Sequence, residues 1–332
     1  MLFAVSPLLA RGSLGGSALL SMLPFAAILA IAGVGQTLVV QQRGLDLSVP
    51  GMITLATIIV TRVPAGSNAR LPEAIGLVVL ASAAAGLVSG IAIARLSITP
   101  LIATLAVNAL LTGVVLHITG GAATAAAPPG LASFALAKTG GIPNTAIVAA
   151  IAIVAVAAFI RTTVVGRRFV SAGVSTAAAR AAGVRVQAYE VTTYVLAAMT
   201  YGCAGILVAG YLGTPGIGAG NDYLLPVIAA VVLGGTSLAG GVGSVVSTAV
   251  GALFLTQLEQ VVLGMGAPAS IQLIIQGSII AIGSAMRSVR LRDAARALTA
   301  HRMRPSPASL AGADDPAPEE LVSGRARRGP RE

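Results

Sequence analysis

Four stretches of this 332-residue chain, 74–94, 191–221, 223–258 and 260–286, contain no Asp, Glu, Lys or Arg. A helix needs about 20 predominantly apolar residues to cross a bilayer. Each stretch therefore has room for one span, and 223–258 nearly has room for two. Buried strands run about 4–8 residues between turn signals, and no such pattern repeats here. Charged residues make up 10% of the chain and hydrophobic ones 56%, against about 25% charged in a soluble domain. That is too little charge to skin a soluble globule of this length. The predicted fold class is all-α, a polytopic transmembrane helical bundle embedded in a lipid bilayer.

Apolar runs between polar punctuation predict about nine spans: 17–41, 47–62, 74–94, 98–119, 143–160, 189–211, 224–240, 243–263 and 269–286. Residues 1–16 form an N-terminal segment and 17–286 the transmembrane domain. Residues 287–332, rich in Pro, Ala, Arg, Asp and Glu, bury too little apolar surface to fold alone and are expected to be a disordered cytoplasmic tail. Pro50, Pro100 and Pro226 fall at helix starts, where a missing N–H costs little. The largest internal polar island, 161–188, holds Arg161, Arg167, Arg168, Arg180 and Arg185, with no acid before Glu190. Such loops face the cytoplasm, and 171–182 reads as a short amphipathic helix on the membrane surface. Five spans counted back from this loop put the N-terminus outside. Four counted forward put the tail inside, and one additional span upstream would make the N-terminal side regular.

The net charge of +10 comes from arginines in short loops and the tail, so it signals orientation rather than a nucleic-acid partner. Cys203 is the only cysteine, which excludes an intrachain disulfide and a cysteine metal site. The two histidines, His117 and His301, offer no ligand pair, so no metal is expected. No G-x-x-x-x-G-K-[ST] loop and no H-E-x-x-H is present, so the chain is expected to be no enzyme and to bind no cofactor. Ionisable groups near or within spans are Asp46, Glu190, Asp222 and Glu259. Arg43 and Asp46 either neutralise one another at a helix break or mark a short cytoplasmic turn. Glu190 and Asp222 fall at interfaces. Glu259, beside Gln257 and Gln260, either faces protein or a watery path, or snorkels from a helix end. Gln36, Thr37, Gln41, Thr104 and Asn108 lie on candidate inner faces and suit a neutral polar solute, although such groups also glue helices together. Gly86 and Gly90, and Gly243, Ser247 and Gly251, give small-residue stripes for close packing.

Four ordered segments, within residues 30–286, resemble the permease subunit of bacterial ATP-binding-cassette (ABC) sugar importers of the ribose/xylose/galactoside type. The first is Gly35-Gln36-Thr37-Leu38-Val39-Val40 running into Gly44-Leu45-Asp46-Leu47-Ser48-Val49. The second is Ile98-Thr99-Pro100-Leu101-Ile102-Ala103-Thr104-Leu105, continuing to Thr119-Gly120-Gly121. The third runs from Thr163 through Gly166-Arg167 to Ala179-Arg180-Ala181-Ala182-Gly183-Val184. The fourth, Ile228 through Leu233-Gly234-Gly235-Thr236-Ser237-Leu238-Ala239-Gly240-Gly241-Val242-Gly243-Ser244, is the most specific.

The resemblance implies a multi-pass inner-membrane protein working with a second permease subunit, cytoplasmic ABC ATPase subunits that hold ATP and magnesium, and an extracytoplasmic sugar-binding protein. It assigns coupling to the ATPase to Gly166, Arg167, Ser171, Ala179, Arg180 and Gly183. The translocation path or helix breaks are expected at Gln36, Thr37, Asp46, Ser48, Thr104, Asn108, Gly234, Gly235, Thr236, Ser237, Gly240 and Gly241. Three departures stand out. The family has about ten spans and the match begins at its second; 122–137 is mostly Ala and Pro; and aromatic residues total 3%, with no Trp. The alternatives are ABC import of a nucleoside, amino acid or polyol, and an ATP-independent secondary transporter. The last needs a coupling-ion site that so few acids hardly supply.

Overall fold

The computed structural model describes residues 15–122, 125–268, 270–283 and 285. The expectations for the N-terminal segment before residue 15 and for the tail lie outside these residues. The described chain is an all-α bundle: α1 (Gly16–Gln41), α2 (Val49–Arg62), α3 (Leu71–Ala94), α4 (Pro100–Thr119), α5 (Pro129–Leu136), α6 (Asn144–Thr162), α7 (Val164–Val174), α8 (Thr176–Ala181), α9 (Val186–Leu212), α10 (Leu224–Leu233), α11 (Val245–Gly264) and α12 (Ser270–Gly283). The β-structure among the described residues is a two-residue antiparallel pair, β1 (Lys138–Thr139) with β2 (Ile142–Pro143).

Each of the nine predicted spans contains a helix, but among the described residues six helices are long and apolar enough to cross a membrane: α1, α3, α4, α6, α9 and α11. α2, α10 and α12 are shorter. α2, with 14 residues, is about 21 Å long, less than the ~30 Å hydrocarbon core. The predicted span 224–240 is corrected to the ten-residue α10 followed by an irregular loop at 234–244. Hydropathy runs on through this loop, but Gly235, Gly240 and Gly241 have φ of +78°, +86° and +76°, a backbone that a right-handed helix does not contain. The single surface helix predicted at 171–182 is corrected to two, α7 and α8, divided at the extended Ser175 (φ −151°, ψ 106°).

α1 is the axis of the bundle: every residue from Ala26 to Gln41 is buried. A helix that is apolar all round belongs inside, and α9, α11, α6 and α10 surround it. α9 packs on its other side against α3 and α2. The packing is close because the contacts are glycines. A Cβ on Gly86 would lie 2.5 Å from the Tyr194 carbonyl oxygen, and one on Gly90 would lie 2.8 Å from Val191 Cα. Gly251 makes the same kind of contact with Ala230, so the Gly86/Gly90 stripe and the Gly251 end of the second stripe are helix–helix seams, whereas Gly243 lies in the loop before α11 against Gln41 and Thr236. The periphery is the reverse. α6 buries only Thr145 and Ala149, and α3 and α4 expose Leu80, Val88, Leu101, Ile102, Leu105 and Leu110. In water this surface would be an aggregation liability; in lipid it is the outer face.

The α7–α8 elbow marks one end of the bundle, together with the turn after α1 and the 234–244 loop. At the opposite end the Arg62 guanidinium donates to the Ile118 carbonyl.

Candidate functional site: two chain breaks joined to an arginine-rich elbow

The first break separates α1 from α2. α1 ends at Gln41, Arg43 turns the chain with φ +66°, and residues 44–48 run without helix into α2. An extended backbone inside a membrane bundle must find partners for every N–H and C=O. The polar residues picked out from the sequence supply them. Asp46, 1% exposed, accepts at Oδ1 from Ser48 N (2.8 Å) and Ser48 Oγ (2.6 Å). Its charge also lies at the positive N-terminal end of α2. Thr104 Oγ1 accepts from Leu47 N at 3.0 Å, and Asn108 Oδ1 accepts from Gly51 N at 2.8 Å. Gln36, wholly buried, reaches Asp46 from α1. With Nε2 towards the Tyr201 hydroxyl (2.9 Å) and the Asp46 carbonyl (3.2 Å), its Oε1 accepts from the Asp46 N–H at 3.3 Å. The amide thus pairs with the chain as a neighbouring strand would. The Arg43–Asp46 neutralisation weighed from the sequence does not occur: Arg43 turns away, and its Nε donates to the Gly173 carbonyl at 3.1 Å.

The second break is the 234–244 loop between α10 and α11. It closes on itself through Ser237 N to the Val242 carbonyl (2.8 Å) and Gly240 N to the Ser237 carbonyl (2.9 Å). Ser244 caps α11, its Oγ accepting from Ser247 N at 3.3 Å. Thr37 ties α11 to α1: its Oγ1 donates to the Gly33 carbonyl and so accepts from Thr248 Oγ1, both at 2.7 Å. The two breaks meet. Gly241 N donates to the Gln41 carbonyl (2.9 Å), and Gln41 Nε2 donates to the Gly243 carbonyl (2.7 Å). Thr236 Oγ1 and Gln41 Oε1 are buried beside Gly243 without a hydrogen-bond partner among the described residues.

Both breaks are also fastened to the elbow. Gln42 Nε2 donates to the Phe169 carbonyl at 2.7 Å, and Arg43 donates to the carbonyls of Gly173 and Val174, the last turn of α7. Gly173 leaves room for Gln41, and Gly241 lies against Val174. Sequence reasoning did not find these links. In the sequence Arg43 stands out only through its acidic neighbour Asp46, and nothing local to 42–43 points about 130 residues ahead.

The residues predicted for coupling lie along the elbow. Gly166 is buried where α7 crosses the Ile160 backbone, and its N–H is capped by Thr163 Oγ1 at 3.0 Å. Ala179 is buried, whereas Arg167, Ser171, Arg180 and Gly183 are exposed. Gly183 leaves α8 with φ +76°. Of the remaining polar candidates, Glu259 is half-buried in a crevice of about 10 Å³ with Gln272 and Gln276. His117 is exposed, and Cys203 borders a largely apolar cleft of about 710 Å³ between α1, α6, α7 and α9. No cluster of His, Cys, Asp or Glu suited to a metal ion occurs among the described residues.

Residues 18–283 match the family described as "Branched-chain amino acid transport system / permease component". The chain belongs to this permease family. It is 32% identical over 266 residues to the ribose import permease protein RbsC of Escherichia coli (strain K12), covering 79% of this chain and 83% of that protein. It is 32% identical over 275 residues to the autoinducer 2 import system permease protein LsrC of Enterobacter sp. (strain 638), covering 83% and 79%. No solved structure matches it. The resemblance read from the four motifs is thereby confirmed, and the chain is a permease-type importer subunit for a small solute.

Proposed function

We propose that this permease is the membrane half of an ATP-driven importer for a monosaccharide, working with a second permease subunit, cytoplasmic ABC ATPases and an extracytoplasmic solute-binding protein. The observation that carries this reading is the junction at the elbow end, where α7 is hydrogen-bonded to the 42–43 turn of the first break and packs against Gly241 of the second, the two breaks being hydrogen-bonded to each other through Gln41. A push on α7 or α8 would reach the 42–48 segment through Gln42 and Arg43, and the 234–244 loop through Gly241. Alternating access needs an element with two arrangements whose balance the driving event biases. Two non-helical segments held by side-chain hydrogen bonds are suited to that, whereas a continuous helix is not. The unpartnered oxygens of Thr236 and Gln41 are spare polar capacity for the second arrangement.

Charge supports the orientation. Among the described residues, Arg43, Arg95, Arg161, Arg167, Arg168, Arg180 and Arg185 lie at the elbow end, and Arg62, Arg70 and Lys138 at the other. By the positive-inside rule the elbow is cytoplasmic, where an ATPase would meet it. The choice of a monosaccharide rests on the similarity to the ribose permease and on uncharged polar groups at the breaks. A second reading, import of another small polar solute, is favoured by the equal similarity to the autoinducer 2 permease. Uptake of labelled pentoses and hexoses by cells carrying or lacking this gene separates them. Loss of one monosaccharide on deletion, restored by the gene, is expected; unchanged monosaccharide uptake with loss of another solute would favour the second reading.

A further inference from the structure

A groove of about 720 Å³ opens at the elbow end between the C-terminal half of α3 and the α8–α9 junction. Its two halves differ in chemistry. One is apolar, formed by Leu87, Ile91 and Val191 on the spans themselves. The other carries Arg95 at the end of α3, Arg180 on α8 and Arg185 before α9. All three arginines are exposed, and none forms an ion pair within 4 Å among the described residues. Glu190, half-buried on α9, is the acid close enough to Arg180 to act on it electrostatically, so the groove keeps a positive excess. Leu87 is eight residues into the span from Arg95, about 12 Å along the helix axis. The apolar half therefore lies at the depth of acyl chains and the arginines at the depth of headgroups.

We propose that this groove binds an anionic phospholipid, its phosphate held by Arg95, Arg180 and Arg185 and an acyl chain lying on Leu87, Ile91 and Val191. Basic pockets between spans at the cytoplasmic face are suited to anionic headgroups. A soluble ATPase would reach the arginines but not Leu87, which is why a lipid fits the whole groove and a protein only its mouth. A bound lipid would brace α8 against α3, next to the elbow. The inference rests on the membrane reading and is independent of which solute is carried.

Native mass spectrometry of the full chain in detergent, titrated with phosphatidylglycerol and phosphatidylcholine, tests it. The wild type is expected to retain phosphatidylglycerol preferentially. Arg95→Gln/Arg185→Gln should weaken that retention about tenfold or more, since each near-surface arginine contributes roughly fivefold. Leu87→Trp, which fills the apolar half and leaves the arginines in place, should weaken it as well. Equal retention by the wild type and the double variant would overturn the proposal. So would displacement by inorganic phosphate with Leu87→Trp unaffected, which would mark a free-anion site. Loss of ATPase association in the double variant with lipid retention unchanged would instead make the groove a protein face and overturn it too.

Discussion

Asp46 carries a carboxylate into the interior of the bundle, where charge is expensive. Its neighbours explain how it stays. One oxygen takes two donors from Ser48, and the Gln36 amide serves the backbone on either side of the same residue. The carboxylate is thus a structural acceptor that lets an extended strand of chain exist beside α1. Asp46→Ala leaves the Ser48 N–H buried without its acceptor, which costs about 1–3 kcal/mol. We expect a lower melting temperature for the purified variant by fluorescence-detected size exclusion and loss of transport. Asp46→Asn, which keeps an oxygen at Oδ1, should recover most of the stability. Equal melting of Asp46→Ala and wild type would show that the hydrogen bonds do not hold the break. At this scale much was legible: Gln36, Asp46, Ser48, Thr104 and Asn108 were all marked from sequence, because polar groups in apolar runs are conspicuous. Tyr194 and Tyr201 were not, since a tyrosine in a span looks like any apolar residue until its hydroxyl meets Gly44 or Gln36.

Elements behave differently from residues. Long apolar runs foretold α1, α3, α4, α6, α9 and α11 to within a few residues. α2 and α12 were also placed to within a few residues, but the end of α10 and the division of 171–182 at Ser175 were blurred because hydropathy does not register a φ above zero or a serine cap. The signals were present as Gly234-Gly235, Gly240-Gly241 and Ser175, and they needed reading as backbone chemistry. The junction between α7 and the breaks was not legible at all, because it joins residues 41–43 to 169–174 and 241–243 in space alone. It yields a prediction at its own scale. Arg43→Gln removes the guanidinium that bridges the Gly173 and Val174 carbonyls and leaves the spans intact. The assembled complex should keep near-wild-type ATPase activity while transport falls at least tenfold, which would mark uncoupling. A parallel fall in both activities, or in neither, would contradict the linkage.

As a whole the chain has a buried central helix, a ring of lipid-facing spans, and polar chemistry concentrated where the ring is interrupted. Single-helix packing needs no such interruptions, and an importer that alternates between two openings does. Family membership places the chain among permeases; the bonded path from elbow to breaks supports the view that it is driven from its arginine-rich end. The most direct test is solute uptake into proteoliposomes containing this permease with the ATPase and solute-binding protein proposed as its partners. Uptake should require all three components and ATP on the elbow side. Uptake by the permease alone, driven by an ion gradient and indifferent to ATP, would contradict that requirement.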